Sequence, residues 1–132
     1  MTDPQPPRPT DAELAILRVL WKRGPSTVRE IQAALVDDGA VSGTSVLKLL
    51  HIMAGKGLVH RDASARAHVF TSRLSEQQTQ AQLMDHLVDG AFAGSAARLA
   101  LRALASRPSS AQDLAEIEKL IERFKNRKGG ER

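Results

Sequence analysis

Thr44, Lys48 and His51 recur three or four positions apart in residues 42–57, SGTSVLKLLHIMAGKG. On a helix that spacing puts a hydroxyl, an amine and an imidazole on one face. Groups of this kind meet base edges and phosphate oxygens, so the chemistry they suggest is recognition of a nucleic acid rather than bond-making. Arg61 and Arg66 follow shortly in the chain, and a guanidinium grips phosphate without reading sequence. No catalytic set competes with this reading. There is no Walker loop, no G-x-S-x-G and no H-E-x-x-H, and the well-placed Ser and Asp residues explain themselves as helix caps. The four histidines are His51, His60, His68 and His86. A hairpin register that set His60 against His68 would give a weak metal or pH site; groove-facing or solvated imidazoles are the preferred reading. No metal or cofactor is implied, and the chain is not expected to be an enzyme.

The elements that hold these groups can be read from spacing. Val46, Leu49, Leu50 and Met53 form an inward stripe opposite the polar face. Ser42 is expected to cap this helix and Gly57 to end it in a left-handed conformation. Upstream, Thr10-x-x-Glu13 has capping-box spacing and opens a helix over residues 10–23, with Leu14, Leu17, Leu20 and Trp21 inward and Gly24-Pro25 as its stop. Thr27-x-x-Glu30 opens a second helix, residues 26–38, with Val28, Ile31 and Leu35 buried. A helix start is also a natural phosphate site, so Ser26, Thr27 and Arg29 are candidate backbone contacts, with simple capping or solvation as the competing reading. Beyond Gly57 the period shortens. Residues 58–61 and 67–70 read as two strands joined by a tip at 62–66. Three helices and a basic hairpin is the winged helix-turn-helix order. In it, residues 42–57 are the recognition helix and Arg61 and Arg66 belong to the wing.

Charge supports that assignment. The 132 residues carry a net charge of +4. Residues 22–73 hold eight basic and four acidic side chains, whereas the flanking segments are nearly balanced. The positive excess therefore lies on the proposed reading head, where it attracts a polyanion. Aromatic residues make up only 3% of the chain, so the core must be built from Leu, Ile, Val and Ala, which suits helices. With no cysteine there is no disulfide, thiolate metal site or thiol nucleophile. That absence fits a reducing cytosol, and a cytoplasmic location is expected. No apolar run approaches the roughly 20 residues of a membrane span. Residues 1–9 are proline-rich without an apolar h-region, so they are expected to be a disordered arm and not a secretory signal.

From Ser75 the composition changes. Ala81, Met84, Leu87 and Val88 mark one helix, residues 96–105 a second, and Leu114, Ile117, Leu120, Ile121 and Phe124 a third. Three such helices bury too little to stand alone. A second copy of the same segment is the economical partner for their apolar stripes, giving a two-fold dimer. Met84, Leu87, Val88, Leu99, Leu114, Ile117, Leu120, Ile121 and Phe124 are the candidate dimerisation residues.

Four pieces in order, DAELAILRVLWKRGPSTVREI, SGTSVLKLL with GKGLV, ARAHVF and FAGSAARL, resemble the penicillinase-repressor family of bacterial transcription regulators. The resemblance runs from about Asp11 to the last helix. It implies a homodimer whose winged helix binds a dyad operator in double-stranded DNA and represses a promoter. It also implies a membrane sensor-protease that relieves repression by cleavage. By position Thr44, Ser45 and Lys48 match the family's recognition-helix contacts, and Arg66 matches its wing arginine. Three departures stand out. Leu47, Ile52 and Gly55 occupy positions where relatives often carry Arg or Lys. Arg102-Ala103 stands where the penicillinase repressors have an Asn-Phe cleavage bond. The C-terminal cysteine pairs of the copper-responsive branch are absent.

The chain is thus expected to be mainly α with a small β-hairpin wing. Residues 1–9 form an arm, 10–74 a winged helix-turn-helix, and 75–132 a helical dimerisation region. Its expected contacts with DNA come from Ser26, Thr27, Arg29, Ser42, Thr44, Ser45, Lys48, His51, Arg61 and Arg66. The competing functions are a winged-helix protein-interaction module and a ligand-sensing winged-helix regulator of another family.

Overall fold

The computed structural model describes residues 6–37, 39 and 45–130. By contact the chain divides into two compact units, Met1–His86 and Leu87–Arg132.

The first unit begins with helix α1 (Asp11–Arg23). Its Thr10 cap is reciprocal: the Glu13 amide donates to Thr10 Oγ1 at 3.2 Å and the Thr10 amide donates to Glu13 Oε1 at 2.9 Å. Lys22 and Arg23 lie in the last turn, where the helix dipole favours cations. Strand β1 (Ser26–Thr27) and helix α2 (Val28–Asp37) follow. The expected helix at residues 26–38 therefore starts two residues late. After Gly24-Pro25 the backbone stays extended, and Ser26 and Thr27 pair with Phe70 and Val69. That pairing gives the backbone ahead of α2 a partner in the sheet.

Helix α3 spans Val46–Lys56 and is capped by Ser45, whose Oγ accepts from the Lys48 amide at 3.4 Å. Ser42, expected to be the cap, lies outside the described residues. Gly57 ends α3 at φ 82° and ψ 17°, a left-handed conformation in which a Cβ is strained. Strands β2 (Val59–Asp62) and β3 (Val69–Ser72) form the hairpin, and the antiparallel sheet has the order β1-β3-β2. Helix α4 (Glu76–Ala91) then begins with a reciprocal Ser75–Gln78 cap. Three helices followed by a wing, with β1 as a third strand, is a winged helix-turn-helix.

One core joins these pieces. Ile16, Leu17 and Leu20 of α1, Ile31 of α2, Leu50 and Met53 of α3, Leu58, Val59 and Phe70 are all buried. The stripes read from spacing hold for α2 and α3. In α1 the buried set turns toward Ile16 and Val19, and Leu14 is only half-buried. Trp21 packs at the edge, and its Nε1–H donates to Ser72 Oγ and to the Leu74 carbonyl, both at 3.0 Å. That bond locks α1 to the end of the wing. Of the proline-rich arm, residues 6–9 are described, and the Pro6 carbonyl accepts from Gln82 Nε2 of α4 at 2.7 Å.

A buried charge spans the unit. Glu13 is 1% exposed, and its Oε2 accepts from Lys56 Nζ, at the end of α3, at 2.8 Å. Burial pushes the Glu13 carboxyl up, but the Lys56 ammonium together with the amide and hydroxyl of Thr10 pulls it further the other way. The net result lies below the ordinary glutamate value.

The second unit contains the end of α4 and helices α5 (Ala96–Ser106) and α6 (Ala111–Gly130). Ser95 and Ser110 cap them by accepting from the Arg98 and Asp113 amides. The corner before α5 closes where the Gly94 amide donates to the Val88 carbonyl at 2.8 Å. Among the described residues no helix is long and apolar enough to cross a membrane.

Lys56→Met leaves the Glu13 carboxylate buried without its cation. This variant is expected to lose about 1–3 kcal/mol at neutral pH, the usual penalty for an unsatisfied buried acceptor. Because Glu13 has a lowered pKa in the folded chain, the ion pair's contribution is full above the unfolded glutamate pKa and disappears as pH falls through the folded one. The gap between wild type and variant should therefore narrow on acidification, which urea melts over a pH series measure.

Candidate nucleic-acid interface

The outward surface of α3 is set by what its other side must bury. Val46, Leu50 and Met53 face the core, and at about 100° per residue this leaves Leu47, Lys48, His51, Ile52 and Gly55 on the solvent side. All five are exposed. Lys48 and His51 thus stand where their spacing placed them. Ser45 is exposed too, with its hydroxyl oxygen engaged as the α3 cap. Thr44 and Ser42 lie outside the described residues.

The wing flanks this helix. α3 packs against β2, and the chain passes from Gly57 through buried Leu58 directly into it. Arg61 is exposed on β2, paired in register with Phe70, and Arg66 is exposed in the hairpin tip. The tip is shaped by Asp62, whose Oδ1 accepts from the Ser64 amide at 2.9 Å. The Ser64 hydroxyl and amide hold the Asp62 carboxyl below its ordinary value, helped slightly by His60. His60 pairs in register with Thr71 and not with His68, so the two imidazoles do not form the cross-strand pair that a metal site needs. Among the described residues no group of three His, Cys, Asp or Glu is placed to hold a metal.

Around the start of α2 the outcome is mixed. Arg29 is exposed in the first turn. Thr27 Oγ1 accepts from the Glu30 amide, and Glu30 Oε1 accepts from the Thr27 amide, so this capping box is complete. Ser26 is a correction. It is 1% exposed and its hydroxyl donates to the Gly24 carbonyl at 2.9 Å. As a strand residue beside Phe70 it points inward, and its side chain has no path to a phosphate.

The family model of the penicillinase repressors matches residues 9–123, most of the chain's length. The chain belongs to the penicillinase repressor family. Its members are DNA-binding transcriptional repressors. A relative described as a penicillinase repressor, from Bacillus licheniformis, is 23% identical over 122 residues, which is 92% of this chain and 95% of that protein. The solution structure of the Bacillus licheniformis BlaI monomeric form in complex with the blaP half-operator gives a TM-score of 0.47. It is 25% identical, over 55% of this chain and 89% of that one.

Leu47 and Ile52, marked in the sequence only by the family resemblance, are 46% and 42% exposed on the outward face of α3. Sequence reasoning missed the partner of Lys56. Lys56 is tied to Glu13, and no local pattern links residues so far apart in the chain. Gly55 is informative in another way. A Cβ built on it meets nothing within 4 Å, so packing does not require glycine there. Gly55→Ala is expected to stabilise the fold by roughly 0.5–1 kcal/mol through helix propensity, read as a higher melting temperature.

Proposed function

We propose that this chain acts in the cytoplasm as a repressor that occupies a palindromic operator in double-stranded DNA as a homodimer. Residues 10–74 would read the site and 75–132 would hold the dimer together. The observation that carries the reading is the outward face of α3. It presents Lys48 and His51, and exposed Arg61 and Arg66 follow on the wing strand and tip, in the part of the chain that holds the excess of positive charge. α3 enters the major groove, and Lys48, with Ser45 and Thr44 at its start, meets base edges or phosphates. His51 lies along the same face. Arg29 and Thr27 at the start of α2, with Arg61 and Arg66, contact the sugar-phosphate backbone and set the register.

The dimer part of the proposal draws on exposure in the second unit. Leu87, Leu114, Leu120, Ile121 and Phe124 are 41–53% exposed, Met84 of the first unit is exposed as well, and Leu99 and Ile117 are half-buried. Val88 is already covered within its own chain at 8% exposure and offers little to a partner. Leu101, at 69% exposure, and Leu104, at 38%, add to the apolar surface without having been expected. Exposed aliphatic and aromatic side chains on these helices favour association, and a two-fold pairing would cover them with no other molecule. A sensor-protease partner is implied by the family alone, and no cleavage step at Arg102-Ala103 is included.

Two measurements test these roles. Arg66→Ala should weaken binding to all sequences alike and flatten the dependence of log affinity on log salt by about one unit. Lys48→Ala should weaken operator binding, with about 1–3 kcal/mol of discrimination lost at one base pair if its contact is a base. Gel shifts over a salt series separate the two, and no change in either variant defeats the assignment. Phe124→Glu places a charge in the apolar surface and is expected to weaken self-association about tenfold or more, read by sedimentation equilibrium.

A further inference from the structure

The outward face of α3 is bounded by two apolar side chains. With 3.6 residues per turn, Leu47 and Ile52 lie about 140° apart around the helix, and His51, Gly55 and Lys48 fall between them. Leu47 and Ile52 are 46% and 42% exposed. Neither belongs to the core cluster, so the fold gains little from them. Between them Gly55 has open space where a side chain would sit and a helical backbone that does not require glycine. A helix surface of this kind lets the backbone come close to its target and presents two aliphatic groups beside one ammonium and one imidazole.

We infer that Leu47 and Ile52 read thymine 5-methyl groups in the major groove, so that this chain selects its operator partly by apolar contact. The inference rests on the DNA-binding reading above and deepens it. The major groove offers one apolar feature, the methyl of thymine, and aliphatic side chains are its natural partners. The cations nearby choose the polyanion as occupant. Lys48 lies on the same face, and Arg61 and Arg66 are exposed on the wing strand and tip that follow α3, surroundings that favour a phosphate-lined groove over an apolar protein surface. Gly55 and the two aliphatic residues supply no charge, so specificity at their base pairs comes from removing methyl groups from water.

The test uses the full-length chain and duplexes that it selects from a randomised library long enough for two half-sites about 34–36 Å apart. Each thymine of the selected site is replaced in turn by deoxyuridine, which removes only the methyl, and affinity is read by fluorescence anisotropy. Loss of one contacted methyl is expected to weaken wild-type binding roughly fourfold. Leu47→Ala should become indifferent to uracil at one position and Ile52→Ala at a different one, while both keep the salt dependence of the wild type. Both side chains are exposed, so unchanged melting temperatures of the variants are expected and serve as the folding control. The inference is overturned if uracil is neutral at every thymine, or if both variants stay as sensitive as the wild type. Selection of a defined site with neutral uracil overturns the methyl contacts and leaves the DNA-binding reading standing. Failure to enrich any sequence, with no salt-dependent binding to duplex DNA, overturns both.

Discussion

A carboxylate sealed inside a small domain needs a partner for each of its oxygens. Glu13 has one for both. Oε1 accepts from the amide that opens α1, and Oε2 accepts from the ammonium at the end of α3. The start of α1 and the end of α3 are therefore held by the same side chain. Close packing of Leu50 and Met53 against α1 sets how α3 lies, and with it the direction in which Lys48 and His51 project. The ion pair adds a polar tie to that packing, since moving Lys56 away leaves a carboxylate that is 1% exposed without its cation.

The second fixed point is at the other end of α1. Trp21 donates to Ser72 and Leu74 where the wing leaves β3, and β1 pairs with β3 at Ser26 and Thr27. Hairpin, turn and first helix thus form one hydrogen-bonded body. The wing cations Arg61 and Arg66 are carried by a rigid sheet and by a tip shaped through Asp62 and Ser64. The candidate interface is built from these supports and not from its own side chains, which make few bonds to the rest of the protein.

How much of this was legible in the sequence depended on range. Capping boxes and helical stripes are local: Thr10-x-x-Glu13 and Thr27-x-x-Glu30 appear in the structure as read, and of the α3 stripe Val46, Leu50 and Met53 are buried and Leu49 half-buried. Gly57 was legible because few residues other than glycine accept its backbone angles. Long-range partners were not legible. Nothing near Ser26 in the chain announces that it will pair with Phe70, and the capping signal beside it made a helix start the natural reading. The same holds for Lys56 and Glu13, where the capping box explained Glu13 completely and hid its second partner. Leu47 and Ile52 were marked by the family resemblance and not by spacing, because periodicity finds residues that turn inward and these two turn out.

The order β1-β3-β2 leaves β2 as the long open edge of the sheet. An unpaired edge is a template on which another chain can add a strand and begin a fibril. β2 is a poor template. It is four residues long, and after buried Val59 it presents His60, Arg61 and Asp62, whose polar and charged side chains impede stacking of a second edge. The charged side chains of β2 thus also discourage polymerisation through this edge.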